Sequence, residues 1–333
     1  MSRTARKAAA LAIAATLAFA GTACSSKGGK QEEQSSGAAG AVNAAAGPKL
    51  KFAMITHAPA GDTFFDIIRK GADAAAAANN VEYTYTNDGD PTRQAVLIEN
   101  AVNSKPDGIL VSVPAPAALK PAIQKAVAAG IPVVGFNAGR DSYKDWGAMM
   151  YFGQDEAIAG QAAGARLKQE GAGKVLCVIQ AQGQSQLEAR CDGVRQGFGG
   201  PVENINVTGT DLTSVRSTLE SKLRQDPAIT HVITLGAPFA LTAVQSKQSA
   251  GSKATIVTFD TNADLVDKIA SGDVAWAVDQ QPYLQGYMSV NMMALYLRNG
   301  NTLGGGKEVL TGPSFIDKNN IAKVSQFAKA GTR

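Results

Sequence analysis

From Lys49 onward the chain alternates between two periodicities. Short apolar runs rich in β-branched and aromatic residues, each bounded by turn formers, recur as LKFAMIT (Leu50–Thr56), VEYTYT (Val81–Thr86), GILVSV (Gly108–Val113) and IPVVGFN (Ile131–Asn137). They continue as YFG (Tyr151–Gly153), KVLCVIQ (Lys174–Gln180), VENINVTG (Val202–Gly209), HVITLG (His231–Gly236), TIVTFD (Thr255–Asp260) and VAWAVDQ (Val274–Gln280). Runs of this length and composition predict strands. Between them, apolar residues fall at helical spacing: Phe65, Ile68, Ala72 and Ala75, then TRQAVLIENAVNS (Thr92–Ser104), LKPAIQKAVAAG (Leu119–Gly130) and EAIAGQAAGARLKQEG (Glu156–Gly171). Thr63 and Asp66 are spaced as a capping box for the first of these helices. Strands alternating with helices predict parallel sheets covered on both faces. The pattern runs through four or five βα units, breaks near Tyr151 and repeats, which predicts an α/β protein of two similar doubly wound lobes.

The segment before Lys49 follows different rules. Arg3, Arg6 and Lys7 precede an apolar stretch, Ala8–Ala20, that is too short to span a bilayer, so residues 1–23 read as an export signal. Gly21, Thr22 and Ala23 precede Cys24 as in a bacterial lipoprotein cleavage box, although Gly21 stands where Leu is usual. Cys24 is thus the expected lipid anchor on the outer face of the cell membrane, against plain secretion with a fortuitous cysteine. Residues 24–48, rich in Ser, Gly and Ala, cannot bury enough surface to fold and predict a flexible tether.

Charge narrows the partners. The full chain has 32 Lys and Arg against 28 Asp and Glu, and losing Arg3, Arg6 and Lys7 with the leader leaves 29 against 28. A charge near neutrality argues against nucleic acid. Cys177 and Cys191 in an exported protein predict a disulfide, the alternative being two buried thiols. With His57 and His231 they show no metal-ligand spacing, and no cofactor is expected.

In open parallel sheets the ligand lies beyond the carboxyl ends of the strands. The residues that follow the strands here include Asp62, Phe64, Phe65, Asn137, Arg190, Asp260 and Gln280. Aromatic faces with carboxylate, amide and guanidinium groups suit a polyhydroxylated molecule, whose hydroxyls donate and accept while its C–H faces stack. A phosphate site would present bare glycine amides instead of the paired phenylalanines of GDTFFDIIRKGA (Gly61–Ala72). For Phe65, in register with Ile68 and Ala72, a core position is the competing reading, and for Asp62 a helix N-cap. His57 lies near the cleft entrance; Trp146, Tyr151 and Trp276 fit the cleft or the packing between elements equally well. NDGDPT (Asn87–Thr92) reads as a turn before a helix.

At these residues the chain resembles the type I periplasmic sugar-binding proteins, over Leu50 to about Asn320. The resemblance implies that Phe64 and Phe65 stack on the sugar with polar Asp62 two positions before. GIPVVGFNAG (Gly130–Gly139) matches a segment whose strand-end carboxylate binds hydroxyls; here it is Asn137, and the arginine expected next is Ala138. EARCDGV implies Arg190 as a ligand, IVTFDTNAD (Ile256–Asp264) implies Asp260, and AWAVDQQPYLQG (Ala275–Gly286) implies Gln280, with Gln281 and Pro282 entering the hinge. Leu212 and Gly236 stand where a stacking Phe and a cleft Asn are usual, so ribose gives way to another pentose, a polyol, a cyclitol or a furanose-like signal.

The implied architecture has an N-terminal lobe of residues 49–152 and 281–312 and a C-terminal lobe of 153–280 and 313–333, with a hinge and an interlobe cleft. The implied function is a monomeric, non-catalytic receptor that delivers a sugar or polyol to an ABC transporter permease; a receptor in sensory or quorum signalling shares the same physical features. An enzyme using Asp62 and Asp260 across a glycosidic bond is disfavoured, because no nucleophile–histidine arrangement accompanies them. A sugar-responsive transcription regulator would need a DNA-binding domain where the leader and tether stand.

Overall fold

The computed structural model describes residues 47–59 and 61–333; the predicted signal segment, Cys24 and the tether up to residue 46 lie outside the described residues. Two six-stranded sheets form the frame. The first contains β1 (Leu50–Thr56), β2 (Val81–Asn87), β3 (Gly108–Val111), β4 (Val133–Phe136), β5 (Met150–Gln154) and β11 (Val309–Gly312), in the order β11-β5-β4-β3-β1-β2. The second contains β6 (Lys174–Ile179), β7 (Val202–Asn206), β8 (Ile229–Thr234), β9 (Thr255–Phe259), β10 (Trp276–Asp279) and β12 (Ser314–Asp317), in the order β12-β10-β9-β8-β6-β7. All pairings are parallel except β12 with β10, which is antiparallel. The short edge strands β11 and β12 escape sequence reading, because each has a single buried position and so leaves no apolar run.

Burial explains the sequence texture. Central strands such as β3 and β4 are buried at every position because helices cover both faces, so they read as continuous apolar runs. Strands β2 and β7 are edges, each with a neighbour on one side only, and there more and less exposed positions roughly alternate.

In the first sheet, α1 (Thr63–Ala78) and α9 (Pro282–Asn299) pack on one face through Phe52, Met54, Ile68 and Met293. On the other face α2 (Pro91–Asn103) and α3 (Pro116–Ala128) pack through Ile55, Ile98 and Ile123. In the second sheet, α4 (Glu156–Gln169) and α5 (Ser185–Phe198) cover one face. The opposite face carries α6 (Leu212–Gln225), α7 (Ala237–Ala250), α8 (Leu265–Ser271) and α10 (Ile321–Lys329). Trp146, Tyr151 and Trp276 are fully buried within these layers, which settles their role as packing.

Helix α1 is capped by Asp62, whose side chain accepts from Phe64 N at 2.9 Å, so the Thr63–Asp66 capping box expected from spacing does not form: Thr63 is already the first helical residue. Helix α2 begins as NDGDPT predicts, with Asp90 as N-cap and Pro91 in the first turn. Helices α4 and α5 approach closely enough that a Cβ on Gly193 would lie 2.6 Å from the Ala157 carbonyl, and one on Gly160 would overlap the Arg190 carbonyl. Only glycine permits that contact.

The chain passes between the sheets three times: from β5 into α4, from β10 into α9, and from β11 to β12. Cys177 on β6 and Cys191 on α5 form a disulfide with Cα atoms 6.0 Å apart. It ties the helix that carries Arg190 to its sheet.

Candidate functional site

The carboxyl ends of the two sheets face one cleft with a volume of about 1560 Å³, and its walls include all seven residues read from the sequence as ligand contacts. Asn137 directly follows β4 and Asp260 directly follows β9, equivalent places in the two sheets. Both adopt left-handed backbone, with φ of 62° and 64°. Asn and Asp tolerate that region better than other side-chain-bearing residues, at a cost that local structure must overcome. The hold is visible: Asn137 N donates to Phe152 O at 3.0 Å and Asp260 N to Val278 O at 2.7 Å. Each turn ends its strand at the cleft.

A polar chain crosses from one lobe to the other. Arg190, nearly inaccessible, donates from Nε and Nη2 to the two carboxylate oxygens of Glu156 at 2.6 and 3.1 Å, and from Nη1 to Leu235 O at 3.2 Å. Its Nη1 also lies 3.6 Å from Asp260 Oδ2, and the guanidinium sits 4.8 Å from the centre of the Phe259 ring. Asp260 Oδ1 accepts from Gln280 Nε2 at 2.7 Å. Gln280 Oε1 accepts from Gln285 Nε2 at 2.9 Å and from Asn137 Nδ2 at 3.3 Å, and Gln285 Nε2 also lies 3.1 Å from Thr311 Oγ1 on β11.

Burial dominates the electrostatics. It raises the Asp260 carboxyl to about 7 even though the Arg190 guanidinium and the Gln280 amide both pull it down. Burial also works to lower Arg190, but the Glu156 and Asp260 carboxylates outweigh it and hold the cation. The site therefore presents one firmly charged donor beside an acid that can accept or donate near neutral pH.

The first lobe contributes apolar surface. Phe64 is half-buried at the cleft wall, while Phe65 is only 4 % exposed and belongs to the core under α1, so the aromatic ring open to the cleft is chiefly that of Phe64. The two rings meet edge-to-face with centroids 5.4 Å apart, and His57 packs edge-on against Phe65 at 5.0 Å. The Asp62 carboxylate is engaged in capping α1, and burial raises its pKa. His57 is buried at the cleft wall, with Nδ1 2.8 Å from Ser112 Oγ; burial, then the nearby Arg190, push it down to about 3, so it is neutral.

Several features differ from the sequence reading. Arg190 does not stand at a strand tip but inside α5, directed to the cleft by Glu156 at the start of α4. Glu156 went unnoticed because an acid in a helix's first turn is an ordinary dipole partner. Gln285 and Thr311 carried no signal at all, because their partners lie in other elements. Leu212 and Gly236 do line the cleft.

Residues 52–302 match the family model described as a periplasmic binding protein domain. A solved carbohydrate transporter from Acidothermus cellulolyticus 11B, in complex with myo-inositol, is 59% identical and superposes with a TM-score of 0.85, covering 86% of this chain and all of that one. A periplasmic ribose ABC transporter from Conexibacter woesei is 25% identical with a TM-score of 0.70, covering 86% of this chain and 97% of that one. A xylose/arabinose-binding protein of Sulfolobus acidocaldarius is 26% identical over 82% of this chain and 72% of its own length.

Proposed function

On the premise that this chain belongs to the periplasmic binding protein family, among the sugar-binding proteins of ABC transporters, we propose that it captures an inositol-type cyclitol and delivers it to a membrane permease. The observation that carries this reading is the convergence of Asn137, Arg190, Asp260 and Gln280 from two lobes on one cleft, facing the ring of Phe64. A cyclitol has a hydroxyl on every ring carbon and no net charge, so it matches a rim of donors and acceptors around an apolar face. The 59% identical relative whose structure contains myo-inositol favours a cyclitol over the pentoses named for more distant relatives.

In this reading Asp62, Phe64, Phe65, Asn137, Arg190, Asp260 and Gln280 form the binding site, and the three crossings between the sheets form the hinge about which the lobes close. Residues 49–152 with 281–312 and residues 153–280 with 313–333 are the two lobes. The protein acts as a monomer without turnover: Asp62 is occupied as a helix cap and Asp260 is held by Gln280 beside Arg190. Export with a lipid on Cys24 places it at the outer face of the membrane, beside its permease.

The test is a thermal-shift and calorimetric screen of inositols, pentitols, pentoses and hexoses, with the radius of gyration measured by small-angle scattering. An inositol that raises the unfolding temperature and contracts the molecule supports the reading. A pentose binding more tightly than every inositol would overturn the cyclitol assignment, and no contraction with any bound ligand would remove the closure mechanism.

A further inference from the structure

We infer that the outer end of the cleft is a second subsite, which takes a neutral sugar ring linked to the cyclitol and stacked on Phe239. The inference rests on the cyclitol reading and extends it from a single ring to a glycosylated one.

Size is the first argument. Small-molecule sites enclose roughly 300–1,000 Å³, whereas this cleft has about 1560 Å³. The excess is not slack between separated lobes, because the lobes already touch. Ser185 on α5 donates from both N and Oγ to Pro114 O at 3.0 Å, His57 Nε2 lies 3.3 Å from Gln186 Nε2, and Asn137 meets Gln280. Further closure about the hinge meets these contacts first.

Topology locates the excess. Asn137, Asp260 and Gln280 of the inner site follow β4, β9 and β10, at or beside the strands where the chain crosses between sheets. The edge strands β2 and β7 lie at the far side of their sheets, and the loops after them, with the first turns of α6 and α7, line the same cleft. A single ring stacked on Phe64 and held by Asp260 and Gln280 leaves that outer end unfilled.

The chemistry there is again that of a sugar site. Phe239 is half-buried, with its ring between two glycines of different loops: a Cβ on Gly209 would come within 3.1 Å of it and one on Gly236 within 3.3 Å. Leu212 is 45 % exposed at the same end. Hydroxyl and amide groups come from Thr213 and Gln245. Gln180, beside Gly236, donates from Nε2 to Leu235 O at 3.3 Å. The cations at this end are Arg93, paired with Asp88 at 2.7 Å, and Arg216, which donates to Ser249 Oγ at 3.1 Å.

The experiment is calorimetric titration of the protein with myo-inositol, with 1-O-α-galactosyl-myo-inositol and with a glucosyl-myo-inositol. At least one glycoside should bind about tenfold more tightly than myo-inositol, the gain expected of one good stacking contact. Phe239→Ala should remove that gain while leaving myo-inositol affinity within about twofold. If both glycosides bind more weakly than myo-inositol, or if Phe239→Ala weakens all three ligands equally, the second subsite is refuted and the single-ring reading stands. If none of the three binds, the cyclitol reading falls first and takes this inference with it.

Discussion

Asp260→Asn offers a direct test of the electrostatics at the cleft. The folded protein raises this carboxyl to about 7, mainly through burial, from an ordinary value near 3.8. A folded value above the unfolded one means that the native state binds more protons between those limits, so this group's contribution to stability falls as pH rises from about 4 to about 7. A gap of about three units corresponds to roughly 4 kcal/mol at most. The amide cannot ionise, and Arg190 keeps its bidentate partner Glu156, so the substitution removes the titration without stranding a cation. His57, lowered to about 3, contributes in the opposite sense, with stability rising through its own window up to about pH 6.5. It is present in both proteins and cancels in the difference. The sequence has two tryptophans; Trp146 lies in the first lobe and Trp276 in the second, on β10 beside the strand β9 that leads into Asp260. In a Trp146→Phe background, urea denaturation followed by Trp276 fluorescence therefore reports the relevant lobe. The stability of Asp260→Asn relative to the parent should climb by up to about 4 kcal/mol from pH 4 to pH 7 and then level off. A difference that stays flat across that range would refute the reasoning, because it would mean that Arg190 keeps the carboxylate ionised throughout.

Other expectations follow from the same geometry. Arg190→Met strands the Glu156 and Asp260 carboxylates in a buried site and should cost about 3–5 kcal/mol in denaturant midpoints, with the added change Glu156→Gln recovering part of the loss. Phe64→Ala should weaken cyclitol binding about tenfold by calorimetry while moving the unfolding temperature little, since Phe64 is only half-buried. Reduction of Cys177–Cys191, which closes a short loop with a sequence separation of 14, should lower stability by about 3 kcal/mol, measured by denaturation with and without reductant. Gly160→Leu forces a side chain into the backbone of α5 and should abolish the folded state, seen as loss of soluble protein or of cooperative unfolding.

Much of the architecture could be read from the chain because each lobe is built of strands buried on both faces between helices, and that arrangement leaves continuous apolar runs in the sequence. The ends of those runs marked Asn137, Asp260 and Gln280. The left-handed backbone at Asn137 and Asp260 was not legible, since it follows from how each turn is bonded to the neighbouring strand. Phe64 and Phe65 look alike in sequence; only the packing of α1 assigns one to the cleft wall and the other mainly to the core. Arg190 was read both as following a strand and through a family resemblance, but the reason for its orientation, a bidentate bond to a carboxylate 34 residues away, had no local trace.

The sequence alone determined the alternation of elements, the duplication of the βα pattern and the residue types offered at strand ends, because periodicity records which side of each segment faces away from water. The tertiary structure decided which of those residues meet. Asn137, Gln280, Gln285 and Thr311 come together only because the chain crosses three times between the sheets, and the charge on Asp260 depends on how deeply those crossings bury it. Hydrogen bonding and desolvation act across space, so partners far apart in sequence leave no repeating pattern in it.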